Sequence, residues 1–282
     1  MKKLNLGCGS CFDFDWVNLD YIKSNENIIE CDLNKGIPYN NNEIDIIYHS
    51  HLLEHFSKPN GIEFLRECYR VLKPGGIIRV VVPDLERIAT EYLKNLRGAL
   101  KGDPISIHNY NWIMLELYDQ TVRNSSGGEM AEYLAREDIP NMDYVLSRIG
   151  DEGKGLHNNY LNHMKNNINK QKSLIQSLLK VIKRVNQIPR TFLKETLFKN
   201  EKELLRKEIK ALNIGRFRLS GEIHQWMYDQ YSLTELLKSV GFKEVKIVSA
   251  FSSSIPDWNK YQLDVKDGLV RKPDSLFLEA LK

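Results

Sequence analysis

Leu4-Asn5-Leu6-Gly7-Cys8-Gly9-Ser10, followed by Trp16-Val17-Asn18-Leu19-Asp20-Tyr21, is the stretch on which the reading of this 282-residue chain turns. Leu4 to Leu6 is a short apolar run entering a glycine pair, the pattern of a strand that ends in a tight backbone turn. A glycine pair lets the main chain approach a ligand closely, because no Cβ intervenes. The second run places Asp20 at the carboxyl end of a second strand, where an acidic side chain can accept hydrogen bonds from both hydroxyls of a ribose. A dinucleotide fingerprint would need a third glycine for helix–strand packing, and that position, counted from Gly7, is Phe12. Ser10 to Asp15 leave room for about one helical turn, too little for the helix N-terminus that would hold a pyrophosphate.

Working outward, Ile28 to Asp32 reads as a short third strand and Ile44 to Tyr48 as a fourth, after the turn-rich Asn40-Asn41-Asn42. Residues 60–73 have helical spacing, with Ile62, Leu65, Tyr69 and Leu72 expected on the buried face. Lys73-Pro74-Gly75-Gly76 stops that helix. Ile77 to Val82 is a continuous apolar fifth strand interrupted only by Arg79, as expected where both faces are buried. Strands alternating with helices argue for a parallel α/β sheet. Residues 86–218 then show no strand pattern. Leu174, Ile175, Leu178, Leu179 and Ile182 form one apolar helical stripe, and Leu204, Leu205, Ile209 and Leu212 another. The α/β pattern returns with a helix from Leu233 to Val240, for which Ser232 is the expected N-cap and Gly241 the stop. Strands over Lys243–Ala250 and Ser275–Leu281 follow. The expected organisation is a core of residues 1–85 and 219–282, split by a helical insertion over 86–218 that serves as acceptor cap or oligomerisation element.

Composition sets the limits. Apolar content of 42% and charged content of 27% are those of an ordinary globular protein. No apolar run reaches the ~18–20 residues that span a bilayer, and Met1-Lys2-Lys3 leads straight into the first strand, so no cleavable leader is expected. Cys8, Cys11, Cys31 and Cys68 have no disulfide-framework spacing and read as reduced thiols of a cytoplasmic protein. Cys8 and Cys11 lack a second ligand pair, so no metal is expected. The net charge of +3 hides an asymmetry, because residues 161–218 carry fifteen Lys and Arg against four Glu. Such a segment suits an anionic ligand, a peripheral membrane contact or a second subunit, or else it is a solvated face.

The ordered motifs L-N-L-G-C-G-S, W-V-N-L-D-Y, C-D-L-N-K-G-I-P-Y, E-I-D-I-I-Y-H-S-H-L-L-E-H-F and E-C-Y-R-V-L-K-P-G-G-I-I-R-V-V-V-P-D closely resemble the class I S-adenosylmethionine-dependent methyltransferases of the methyltransferase domain 11 type. The likeness is to the subgroup with a very short first helix that is associated with surface-polysaccharide biosynthesis. It covers residues 3–85 and resumes weakly over 224–242 and 271–280. It implies a doubly wound, Rossmann-like seven-stranded sheet with an antiparallel last strand. It also implies S-adenosyl-L-methionine as cofactor, whose lack of phosphate suits a glycine turn without a long helix. The roles implied are Gly7, Cys8 and Gly9 at the methionine moiety, Asp20 with the adjoining Tyr21 at the ribose, Asp32 and Leu33 at the adenine, and Ser50 near the sulfonium.

Methyl transfer is an in-line displacement, and alignment supplies much of its acceleration. A hydroxyl acceptor must also lose a proton, and histidine is the usual base near neutral pH. His51 is the preferred base or acceptor-binding residue. His224, in an acceptor-side motif of the subgroup, and His55 are further candidates, although His55 suits a structural role beside Glu54 or the backbone. His49 reads as the buried end of the fourth strand. The expected acceptor is a carbohydrate or other small molecule, with anionic and lipid-linked forms both open; its sugar character rests on the subgroup alone. Two rivals remain: a cofactor-binding subunit without activity, and a nucleic-acid methyltransferase. Nucleic-acid binding interleaves aromatics among basic residues, and from 161 to 216 the aromatics are Phe192 and Phe198. The N/D-P-P-Y/F motif of amino-methylating DNA enzymes is absent.

Overall fold

The structure, a computed structural model, describes residues 1–150, 153–161 and 195–282. Its strands are β1 (Lys3–Leu6), β2 (Val17–Asp20), β3 (Ile28–Glu30), β4 (Ile44–Ser50), β5 (Leu72–Pro83), β6 (Lys243–Val248), the short β7 (Val265–Lys266) and β8 (Leu269–Val270), and β9 (Ser275–Leu281). Seven of them form one sheet in the order β3-β2-β1-β4-β5-β9-β6. The pairs from β3 to β5 are parallel, while β9 runs antiparallel to both β5 and β6. The chain thus winds outward from β1 in both directions. The strand ends Leu6, Asp20, Ser50 and Pro83 fall on one edge, where open α/β sheets hold their ligands.

One face of the sheet is covered by α1 (Lys58–Val71) and α9 (Gln230–Val240). Leu4, Leu6, Ile47, Val80 and Leu278, all without exposed surface, form its core with Leu65, Val71 and Leu237 of the helices. Each such side chain stabilises the fold by about 1.5–3 kcal/mol. The buried face of α1 consists of Gly61, Phe64, Leu65, Cys68 and Val71. Ile62 and Tyr69, expected to lie on it, are only half-buried, because the inward stripe is centred one residue away, on Phe64 and Cys68. The cap of α9 also differs from expectation. Asp229, not Ser232, is the N-cap: its carboxylate accepts the Ser232 N–H at 2.7 Å while the Ser232 hydroxyl accepts the Asp229 N–H at 3.0 Å. Ser232 is the reciprocal member of that box, three residues inside the helix.

The other face is covered, among the described residues, by an irregular strap with one 3-10 turn, Trp258–Tyr261. The strap over residues 249–274 lays Trp258, Tyr261 and Leu263 against Trp16, Tyr48, Val81 and Phe277 of the sheet region. Trp16 meets Tyr48, Trp258 and Tyr261 edge-on, with ring centroids 5.4–6.2 Å apart. Two buried asparagines on this face explain how the β1–β2 connection manages with no helix. Asn5 donates to the Cys11 carbonyl at 3.0 Å and to Asn18 at 3.1 Å, and Asn18 donates to the carbonyls of Asp13 and Trp16, each at 3.0 Å. Carbonyls that a helix would have satisfied are therefore paired from the strands.

Between β5 and α9 the described residues hold helices and no strand: α2 (Leu85–Ala99), α3 (Pro104–Met114), α4 (Gln120–Val122), α5 (Gly128–Leu134), α6 (Met142–Ile149), α7 over residues 153–161, and α8 (Glu195–Arg218). They carry a small core of their own around Trp112, Tyr133 and Val145, with a buried ion pair from Arg148 to Glu116 at 2.6 Å. The stripe Leu204, Leu205, Ile209 and Leu212 of α8 is exposed. The expected stripe from Leu174 to Ile182, and most of the basic segment, lie outside the described residues. No described helix is long and apolar enough to cross a membrane.

Candidate active site

The glycine turn sits where β1 meets the strand edge. Gly7 and Gly9 both have left-handed φ, +63° and +53°, a conformation glycine adopts without steric cost. The Gly7 N–H donates to the Leu19 carbonyl at 2.8 Å, and the Gly9 N–H donates to the Asp20 carboxylate, also at 2.8 Å. The second Asp20 oxygen accepts the Ile22 N–H at 3.0 Å. Asp20 therefore braces the turn to the end of β2. A Cβ on Gly7 would come within 2.8 Å of Leu52, while one on Gly9 would point into open space. Cys8 is buried between them, and burial pushes its thiol up to about 12.

Gly7, Cys8, Gly9 and Ser50 line one hollow of about 260 Å³, together with His51 and Lys272. Tyr21 and Asp32 line a second on the same edge, with Glu67 and Arg70 in its wall. Asp32 caps the 3-10 turn Leu33–Lys35 by accepting from Asn34 N–H at 3.1 Å, and Leu33 is buried beneath it. The hydrogen bonds from Asn34 hold the Asp32 carboxyl below its ordinary range.

Beyond Ser50 the chain turns sharply. His51 has φ +51°, which costs a non-glycine residue roughly 1–2 kcal/mol. Its N–H is held by the Val81 carbonyl at 2.9 Å. Its ring spans two partners, with Nε2 2.8 Å from the Ser275 hydroxyl and Nδ1 3.4 Å from Glu54. Burial, reinforced by Lys272, holds its pKa well below the ordinary imidazole value.

His55 and His224 do not line the glycine hollow; they gather with His51 around Glu54. Glu54 has no exposed surface, and neither of its carboxylate oxygens has a hydrogen-bond partner. Burial raises its pKa to about 8. The His224 Nε2 stands 4.0 Å from it, with burial driving the His224 pKa down to about 2. His55 donates from Nδ1 to the Ile223 carbonyl at 3.2 Å, the backbone contact expected of it, and its ring meets His224 edge-on at 4.8 Å. Two strand-like contacts fix this arrangement: Gln225 N–H donates to the Glu54 carbonyl at 2.7 Å, and the Gln225 side chain donates to the His55 carbonyl at 2.8 Å. His49 lies on the helical face with no exposed surface and no partner for either nitrogen.

Sequence reasoning missed Glu54 as a centre and Lys272 as part of the hollow wall. The spacing His51-x-x-Glu54-His55 was a usable signal for the first. The placement of Lys272 depends on the strap, whose irregular backbone carries no periodicity to read.

The family model described as a methyltransferase domain matches residues 12–80. No curated protein matches the chain. Among solved structures, a SAM dependent methyltransferase from Archaeoglobus fulgidus is 11% identical, with a TM-score of 0.38 over 100% of this chain and 86% of that one. One from Aquifex aeolicus is 20% identical, with a TM-score of 0.25 over 30% of this chain and 57% of that one. One from Mesorhizobium loti is 17% identical, with a TM-score of 0.24 over 31% and 48%. These structural likenesses are weak, and the fold rests on strand order, polarity and register. The match over residues 12–80, set on this sheet, supports a methyltransferase.

Proposed function

We propose that the chain transfers a methyl group from S-adenosylmethionine to an oxygen of a sugar or sugar-linked acceptor. The observation that carries the reading is the left-handed turn Gly7-Cys8-Gly9, braced by Asp20 and opening at Gly9 into the hollow that His51 lines. The residues present fit the cofactor, because the space a Cβ would take at Gly9 is open and Asp20 is anchored at the carboxyl end of β2, where an acidic side chain can meet a ribose. When bound, S-adenosylmethionine supplies an electrophilic methyl carbon on a sulfonium.

The chain's own residues do the rest. Gly7, Cys8 and Gly9 hold the amino-acid end, Ser50 borders the reacting centre, and Asp20 accepts from the ribose, with Tyr21 beside it and Asp32 and Leu33 toward the adenine. Burial keeps the His51 imidazole neutral and leaves a ring nitrogen able to accept a proton from an acceptor hydroxyl, while the same burial weakens it as a base. Its Nε2 exchanges the Ser275 contact for that hydroxyl, and Glu54 beside Nδ1 steadies the ring. Lys272 and Arg271 in the hollow wall favour an anionic acceptor. The helical insertion forms the outer acceptor wall, and the His224 N–H bonded to the Gln120 carbonyl at 2.9 Å joins it to the site.

Calorimetry and a labelled-methyl assay over a panel of sugars and sugar phosphates test this together. Cofactor affinity is expected in the micromolar range, about −8 kcal/mol. Asp20→Ala is expected to weaken it by roughly 1–3 kcal/mol. His51→Ala is expected to lower turnover about 10²–10⁴-fold while leaving cofactor affinity within about threefold. Loss of turnover in His224→Ala but not in His51→Ala would move the base to the acceptor side, and absence of cofactor binding in the wild-type protein would end the reading.

A further inference from the structure

Among the described residues, Glu54 is a buried acid whose carboxylate has no hydrogen-bond partner. A carboxylate with no exposed surface and no hydrogen-bond partner is costly, and native folds keep such groups where something else compensates them. Its surroundings are imidazoles. One donor atom each from Glu54, His55 and His224 lies within 4.8 Å of the other two.

We propose that Glu54, His55 and His224 form a binding site for a divalent transition-metal ion, with Zn2+ the best fit, placed behind His51 from the glycine hollow.

Three observations carry it. The first is the donor set. Two imidazole nitrogens and one carboxylate are the three-ligand set of open zinc sites, whose fourth position is left to water or substrate. Donors around tetrahedral zinc stand about 3.4 Å apart, given metal–ligand distances of about 2.0–2.2 Å. The present spacing, up to 4.8 Å, needs a contraction of up to about 1.4 Å, which binding would have to draw from the Glu54 carboxylate and the imidazole rings. The second is orientation. The Nδ1–H of His55 is held by the Ile223 carbonyl at 3.2 Å, so its lone pair resides on Nε2, the atom left for a metal. That backbone contact is the outer bond that zinc-binding histidines use to fix tautomer and ring direction. The third is backbone registration. Gln225 bonds the carbonyls of Glu54 and His55, and the His224 N–H is held by Gln120. The third donor is thereby fixed beside the other two, although 169 positions of sequence separate it from His55. A metal there would compensate the buried carboxylate, which no hydrogen bond does. This departs from the sequence reading, which weighed only Cys8 and Cys11 for a metal.

The inference does not rest on methyl transfer, and its readout needs no acceptor or cofactor. The full chain, stripped with a chelator, is titrated with Co2+ and followed by visible absorption, then with Zn2+ in competition. The expected result is one ion per chain with the intense visible bands of a tetrahedral N/O site. Glu54→Gln and His224→Ala should each weaken binding at least about 100-fold. Cys8→Ser/Cys11→Ser should leave the bands and the affinity unchanged. Circular dichroism confirms that each variant is folded, and Glu54→Gln, nearly isosteric, keeps the site's shape. Zn2+ should raise the melting temperature of the wild type and not of Glu54→Gln. Absence of stoichiometric binding in the wild type, unchanged affinity in Glu54→Gln, or loss of binding in the cysteine variant would each overturn the proposal.

Discussion

Two of the charge clusters buried among the described residues are built in opposite ways. Arg79, on the strap-covered face of β5, has no exposed surface, yet every part of its guanidinium is engaged. Nε donates to Asp264 and Nη1 to Glu279, each at 2.7 Å, while the carbonyls of Ser249 and Ser252 take the remaining donors at 2.9 and 3.1 Å. Asp264 also accepts from the Tyr48 hydroxyl at 2.7 Å, and the Trp258 ring lies 4.5 Å from the guanidinium carbon. Glu54, at the strand edge, is as deeply buried, and its carboxylate has no hydrogen-bond partner. A closed network has no valence left for a ligand and acts as a rigid clasp between sheet and strap. An open one keeps its valences, and the proposed metal ion would use them.

The largest expected effect is on the closed cluster. Arg79→Met removes the cation and leaves Asp264 and Glu279 buried without it, so the fold should lose about 3–5 kcal/mol. Chemical denaturation measures it. Replacing all three charged residues with apolar side chains of similar volume should recover much of the loss, because the penalty lies in the uncompensated carboxylates. A single variant as stable as the wild type would show that the strap is not clasped by this residue.

How each cluster could be read in the sequence follows the same division. β1, β2, β4 and β5 were legible because parallel strands buried on both faces are continuous apolar runs bounded by turn residues, and β9 was legible to its bounds, Ser275–Leu281. The glycine turn and the place of Asp20 at the end of β2 were legible because short apolar runs there end in turn residues. Arg79 read only as an interruption, because its partners Asp264 and Glu279 lie 185 and 200 residues away. The strap was opaque for a similar reason: Trp258 and Tyr261 meet their partners across the sheet, and no local period marks them. One signal in it was available. Asp267-Gly268, both left-handed in the structure, is the dipeptide of a two-residue hairpin, and it joins β7 to β8. His51, Glu54 and His55 were adjacent on the page, but His224 joins them only through the Gln225 contacts.

A smaller effect, set by pH, distinguishes His49 from the histidines that follow β4. His49 is fully buried, unpartnered, and packed against Phe64 at 5.2 Å. Burial lowers its pKa from 6.5 to about 3. The unfolded chain therefore binds a proton below pH 6.5 that the folded chain refuses until about pH 3, so stability is full above the upper value and falls as pH drops through that window. At pH 5 the loss is about 2 kcal/mol. His49→Leu should remove it, so melting temperatures should fall less on acidification from pH 8 to pH 5 in the variant. His51 and His224 contribute with the same sign in both proteins and cancel from the difference. Equal acid sensitivity in the two proteins would mean that His49 has a partner after all.

The smallest effect completes the contrast, because it concerns an ion pair on the same strap. Lys260 Nζ lies 2.9 Å from an Asp15 oxygen, about as close as Arg79 lies to Asp264, but both side chains are more than half exposed. The Asp15 carboxyl is held below its ordinary range by the hydrogen bond to Lys260 and by its charge. Water solvates each partner when the other is removed, and salt screens what attraction remains. Lys260→Ala should therefore leave the melting temperature within experimental error, with no further change on raising the ionic strength. The same distance would then have opposite consequences at two points of one strap, and burial alone would account for the difference. A clear loss of stability in Lys260→Ala would reverse the assignment: the strap would be tied to the sheet at its rim, through the β1–β2 loop, rather than at its centre by Arg79 and the aromatic side chains around Trp16.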